Sequence, residues 1–159
     1  MENLTERQIE AKADMVAHAI MLLTNEIGNV FEKNNEVGKS SSQTKDAFYL
    51  LLTYTNLFNA EKFFSDQLDS TTYRIFAHRL ESHFNVESHE PKRFLNWIRQ
   101  VENPLQYFAS EAAKIIGGKD SGAFTSLGMD LMAIYASFAE GFHEGLKRAW
   151  VLVSEYPNI

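Results

Sequence analysis

The sequence contains no cysteine, only 3 prolines and only 8 glycines among 159 residues. Without cysteine, disulfides, thiol nucleophiles and Cys-ligated zinc or iron–sulfur sites are excluded. The scarcity of glycine and proline, with a hydrophobic fraction of 45%, excludes collagen-like and disordered chains. Basic residues are in deficit, with 15 against 21 acidic ones, and the net charge of -6 repels phosphate backbones and anionic lipid. Nucleic-acid binding would therefore need a local basic exception.

Membrane and export signals are also lacking. The apolar run 15–23 is interrupted by His18 and is far shorter than the ~20 residues that span a bilayer. Glu2 and Glu6 stand where a secretory signal would carry bases. We therefore expect one soluble, cytoplasmic domain over residues 1–159, with no membrane partner.

Hydrophobic residues recur at steps of three and four along most of the chain, which predicts an all-α bundle of about six helices. Capping residues and Gly/Pro signals set the predicted ends. The predicted helices are residues 5–34 and 42–66, a third starting at Asp69 or Ser70, a short fourth after Pro91 with Phe94 and Trp97, a fifth at 103–117 ending in a left-handed Gly117-Gly118 cap, and a sixth starting at Asp120 or Ser121 and reaching about Ser154.

The second predicted helix is apolar on nearly every side, so we expect it at the centre of the bundle. Thr53, Asn56 and Asn59 would then be partly buried and would need internal hydrogen-bond partners. The first and last helices, at ~45 Å each, must cross the molecule, bend, or project into a partner. The first has a core stripe of Ile9, Ala13, Val16, Ile20, Leu23, Ile27 and Phe31, and the last has Phe124, Leu127, Leu131, Ile134, Tyr135, Phe138, Phe142, Leu146 and Val153.

The first helix carries a second apolar face, nearly opposite its core stripe. This face consists of Leu4, Ala11, Met15, His18 and Leu22. A helix that is apolar on two sides is either enclosed within its own domain or covered by another subunit. We expect the second arrangement, in which these five residues form the interface of a homodimer.

Two glycines in the last helix, Gly141 and Gly145, are spaced four residues apart. Each costs roughly 1 kcal/mol relative to alanine in a helix, which indicates that something approaches the backbone closely there. Close helix packing is one explanation. The other is a slot for a small apolar ligand, formed with Phe138 and Phe142.

Glu140 and His143 form the sharpest metal motif, because a Glu three residues before a His is used in di-metal helical bundles. Such bundles need a second pair, which the sequence lacks, and a helical wheel places Glu140 on the polar face. Haem needs only one axial histidine, for which His18, His78 and His83 are candidates. A metal- or haem-binding protein, globin-like in the haem case, is therefore one alternative function.

DNA binding is the second alternative, on a basic cluster of Arg74, Arg79, Lys92, Arg93 and Arg99. The connection 85–90 is longer than the 3–4-residue turn of the DNA-binding helix–turn–helix, and acidic residues dilute the cluster. No nucleophile elbow or phosphate-binding loop occurs, so no catalytic residue is assigned. The sequence favours a non-enzymatic regulatory or interaction module that self-associates and accepts a small apolar ligand between helices, without a cofactor.

Overall fold

In the computed structural model the described residues are 4–86, 92, 95–96 and 98–155, with side chains described as far as residue 152. All regular structure in these residues is helical, which confirms the predicted all-α class. The helices are α1 (Glu6–Phe31), α2 (Asn35–Gly38), α3 (Ser42–Ser65), α4 (Ser70–Ser82), α5 (Pro104–Gly117), α6 (Ser126–Ser137) and α7 (Ala139–Glu155). Among the described residues, no helix combines the length and hydropathy needed to cross a membrane.

Helix starts that the sequence predicts from capping residues are confirmed. The Thr5 hydroxyl accepts a hydrogen bond from the Gln8 N–H at 3.1 Å, and the Gln8 side chain accepts one from the Thr5 N–H at 2.8 Å. Asp69 caps α4 and Asn103 caps α5 in the same way. The predicted glycine end of α5 is also present, because Gly118 has φ of 98° and its N–H bonds to the carbonyl of Lys114.

The first helix ends three residues earlier than expected, at Phe31. The reason is a competing cap at Asn34, whose side-chain oxygen accepts hydrogen bonds from the N–H groups of Glu36 and Val37. This cap begins the four-residue helix α2.

The prediction of one long last helix over 120–154 is wrong. Its first turns are a loop that exposes 78% of Phe124, a residue expected in the core. Thr125 is the true cap: its hydroxyl accepts from the Gly128 N–H and donates to the Gly122 carbonyl. The remaining helix is divided at Phe138 into α6 and α7. The two parts have 12 and 17 residues, which at 1.5 Å per residue gives lengths of about 18 and 26 Å.

Helices α1 and α3 form the centre of the bundle. The predicted core stripe of α1 is buried except for the half-buried Leu23. Helix α3 contacts α1, α4, α5 and α7, which confirms its central position. Helices α4 and α7 pack on α1, and α5 packs on both α3 and α6. An aromatic cluster joins these layers, with the ring of Phe108 at 6.0 Å from Phe31 and 4.7 Å from Tyr135.

The short helix expected after Pro91 is supported by helical backbone at residues 92, 95–96 and 98. Leu95 and Ile98 are fully buried and belong to the core. Pro91, Phe94 and Trp97 lie outside the described residues, as do the side chains from residue 153 onward.

Candidate functional site

A cavity of about 290 Å³ lies between α3, α5, α6 and α7, and Ile27 of α1 completes its lining. It opens beside Phe138, where the last helix is divided, and α5 contributes its first residues to the wall. The periodicity of a single helix contains no signal for such a space, because the space depends on how several helices pack together.

The floor of the cavity is a chain of hydrogen bonds between buried polar side chains. The Asn59 amide donates to the Tyr135 hydroxyl at 2.6 Å, and that hydroxyl donates to the Asn56 carbonyl oxygen at 2.6 Å. The Asn56 amide in turn donates to the Thr24 hydroxyl at 2.8 Å. Burial raises the pKa of Tyr135, so its hydroxyl stays protonated and remains a donor.

The prediction that α3 carries buried polar residues with internal partners is therefore confirmed. Thr53 also has an internal partner, although it lies outside the network, since its hydroxyl donates to the carbonyl of Tyr49 at 2.7 Å. In this network the side chains of Asn56 and Tyr135 each donate one hydrogen bond and accept another. The carbonyl oxygen of Asn59, by contrast, has no hydrogen-bond partner among the described residues. It is the acceptor that the network leaves available to the cavity.

The predicted ligand slot is brought together only in part. Phe138 and Phe142 both line the cavity and form its apolar wall with Ile27. Gly141 lies outside the lining, and nothing approaches within 4 Å of the position that a Cβ would take there. At Gly145 a Cβ would lie 2.9 Å from the Cδ1 of Leu23. Gly145 thus allows α7 to pack closely on α1, and close helix packing was one of the two explanations offered for these glycines.

The mouth of the cavity carries Lys62 and His143, both largely exposed. The His143 ring stacks on Phe63, with centroids 5.1 Å apart and an interplanar angle of 20°. Glu140, its partner in the predicted metal motif, is exposed and does not line the cavity. In the part of the chain that the structure describes, no three His, Asp or Glu side chains are grouped as a metal site would require. Of the candidate haem ligands, His18 and His78 are exposed, and His83 lies 2.7 Å from the Asp14 carboxylate.

The predicted dimer face of α1 is divided. Leu4 and Met15 pack against the core of their own chain, and Ala11 is half-buried. His18 and Leu22 remain exposed, Leu22 by 52%.

Packing by α4 and α7 explains this division, because both helices lie on α1. The contact between α1 and α7 includes Lys12, which is only 2% exposed. Its ammonium group donates a hydrogen bond to the Trp150 carbonyl at 2.7 Å. The same ammonium lies 4.8 Å from the centroid of the Trp150 ring.

The predicted basic cluster is partly neutralised. Arg79 forms two hydrogen bonds to the Asp14 carboxylate, at 2.7 and 3.1 Å, and lies 3.7 Å from Glu10. Arg74 and Lys92 are exposed, whereas Arg93 lies outside the described residues. Arg79 therefore serves to join α4 to α1.

A buried acid that the sequence analysis missed is Glu61, on α3. Its side chain accepts from Arg99 at 2.8 Å, and the same Arg99 nitrogen donates to Glu81 at 2.7 Å. The second Glu61 oxygen is buried and has no partner among the described residues. Burial raises the pKa of Glu61 to about 8, and the charge of Glu81 adds to the rise while Arg99 opposes it. The available signal was that Glu61 is the only acid of α3 after Asp46, in a part of the helix where most residues are apolar.

Comparisons with protein-family models, with curated proteins and with solved structures found no match to this chain.

Proposed function

We propose that the protein is a non-enzymatic binding module that takes a small molecule with an apolar body into the cavity between α3, α5, α6 and α7. The cavity itself carries this proposal. It combines an apolar wall with a few fixed polar groups, which is the usual composition of small-molecule sites. Its lining contains no acidic residue, and His143, the histidine in the lining, has no hydrogen bond to a nucleophile among the described residues, so binding fits the cavity better than catalysis.

Each part of the lining has a distinct role in this proposal. Ile27, Phe138 and Phe142 hold the apolar body, and the Asn59 carbonyl oxygen accepts a hydrogen bond from a hydroxyl or N–H group of the ligand. The Tyr135 hydroxyl, already committed to Asn56, holds Asn59 in this orientation. An occupied site would contact both helices that meet at Phe138, and so would favour one angle between them. Such a dependence of shape on ligand would be the basis of a regulatory role.

A fluorescence titration with the uncharged probe N-phenylnaphthylamine tests the proposal. We expect saturable binding of one probe per chain. Ala136 lines the mouth from α6, whereas Ala133, three residues earlier and also exposed, does not line the cavity. Ala136→Phe should therefore block the probe, and the matched control Ala133→Phe should bind it as the wild type does.

Binding that does not saturate, or that survives Ala136→Phe unchanged, would overturn the proposal. Circular dichroism of both variants verifies that each is folded. Native mass spectrometry of the freshly purified protein adds an independent measurement, because a co-purified small molecule should be absent from the Ala136→Phe variant.

Self-association through α1 is a second proposal, supported by the adjacent exposed side chains of Met21 and Leu22. The surface left for a second copy is smaller than the sequence suggested, since Leu4 and Met15 pack within their own chain. Leu22→Glu should convert a wild-type dimer into a folded monomer in sedimentation experiments. A wild type that is monomeric at high concentration would end this proposal without affecting the cavity.

A further inference from the structure

The mouth of the cavity carries two basic side chains and no acidic one. Lys62 and His143 line it, and neither forms an ion pair or a hydrogen bond with the described residues. No Asp or Glu belongs to the lining, although acids outnumber bases 21 to 15 in the whole chain. The local charge is thus opposite in sign to the net charge of the molecule.

The beginning of α5 adds to this positive character. Asn103, Pro104 and Leu105 line the cavity, so the N-terminal end of a 14-residue helix borders it. Helix N-termini carry a partial positive charge and unpaired N–H groups, which favour anions. The Asn103 side chain caps the Gln106 N–H, whereas the Leu105 N–H has no partner among the described residues.

Other basic side chains of the molecule have a structural role, because acidic residues bind them. Arg79 is bound by Asp14, and Arg99 is bound by Glu61 and Glu81. Lys62 and His143 have no such acid among the described residues, so the Lys62 charge and the ring nitrogens of His143 are available to a molecule in the cavity.

From the convergence of Lys62, His143 and the start of α5 at one cavity, we propose that the ligand carries an anionic group, a carboxylate or a sulfonate, held at the mouth while its apolar body lies against Phe138 and Phe142. This inference rests on the proposed function. It narrows the ligand to small amphipathic acids.

Two probes that share one ring system separate the two proposals. Anilinonaphthalene sulfonate carries the negative charge, and N-phenylnaphthylamine is the same molecule without the sulfonate. We expect the sulfonate probe to bind the wild type at least about threefold more tightly, the size of effect given by one partly exposed charge pair. Its affinity should fall as salt is added, while that of the neutral probe should not.

Single substitutions test whether the basic residues at the mouth of the cavity cause the difference in affinity between the two probes. Lys62→Met should weaken the sulfonate probe about threefold or more relative to the neutral probe. His143→Gln should do the same to a smaller degree. Lys119 is an exposed lysine outside the lining, and Lys119→Met is the matched control that should change neither affinity.

Equal wild-type affinities for the two probes, or a sulfonate affinity that Lys62→Met does not change, would overturn the anionic inference and leave the proposed function standing. Sulfonate binding that persists in Ala136→Phe would also overturn the inference, because the anion would then lie outside the cavity. Failure of the neutral probe to bind the wild type would overturn the proposed function itself.

Discussion

Replacing Glu61 with glutamine should remove a loss of stability that the wild-type protein suffers as pH rises. The Glu61 side chain is only 5% exposed, and one nitrogen of Arg99 bridges it to Glu81 at 2.8 and 2.7 Å. Two carboxylates thus share one guanidinium, and one Glu61 oxygen has no partner among the described residues. Burial first, and the charge of Glu81 second, raise the pKa of Glu61 from 4.5 to about 8.

The sign of the effect follows from where the proton is held. In the unfolded chain Glu61 loses its proton near pH 4.5, whereas in the folded protein it keeps the proton until about pH 8. Between these values the folded state binds more protons, so the free energy of unfolding falls as pH rises. At about 1.4 kcal/mol for each pKa unit, the fall reaches at most about 5 kcal/mol.

Urea unfolding followed by circular dichroism measures this dependence. Glutamine has nearly the same shape and cannot ionise, so Glu61→Gln should match the wild type near pH 5 and exceed its stability near pH 8. The control Glu26→Gln removes an exposed acid from α1 and should show no such difference between the two conditions. If the stability difference between Glu61→Gln and wild type were the same at both pH values, the burial argument would be refuted.

Three further predictions concern packing and the polar floor, each checked by urea unfolding. Phe108→Ala should cost about 3–5 kcal/mol, because it empties the centre of a fully buried aromatic cluster; a cost below about 1 kcal/mol would contradict that packing. Gly141→Ala should stabilise by about 0.5–1 kcal/mol, since its new Cβ meets nothing, and should exceed Gly145→Ala, whose Cβ meets Leu23; the reverse order would contradict the packing of α7 on α1. Tyr135→Phe should cost about 1–3 kcal/mol, because it leaves the Asn56 oxygen without its donor; an unchanged midpoint would show that the floor network adds no stability.

Local signals account for most of what the sequence predicted correctly. Thr5, Asp69 and Asn103 each cap a helix through the N–H group three residues further along, so these starts depend on no distant contact. The prediction failed between 118 and 125, where Thr125 competes with Asp120 and Ser121 as a cap. All three residue types are good caps, and local preference alone does not rank them.

The cavity could be predicted only in pieces, for a different physical reason. The sequence identified Asn56 and Asn59 as buried polar groups and Phe138 and Phe142 as a candidate slot, and all four residues line the same space. Their juxtaposition depends on how separate helices pack, which brings residues about 80 positions apart along the chain into one hydrogen-bonded floor, as in the Asn56–Tyr135 pair separated by 79. Hydrophobic periodicity describes one helix at a time, so it gives no information about a contact between two helices.

Helix α3 carries both the cavity and the buried acid, and its geometry keeps the two apart. Glu61 and Lys62 are neighbours in sequence, but successive residues of an α-helix point in directions about 100° apart. Glu61 is accordingly directed to Arg99 and Glu81, whereas Lys62 reaches the mouth of the cavity. Glu61 and its partners are absent from the cavity lining, so its ionisation changes the stability of the fold without changing the charge presented to a ligand. A single central helix that is apolar on most sides can therefore hold two independent polar features, because each has a different set of neighbouring helices to satisfy it.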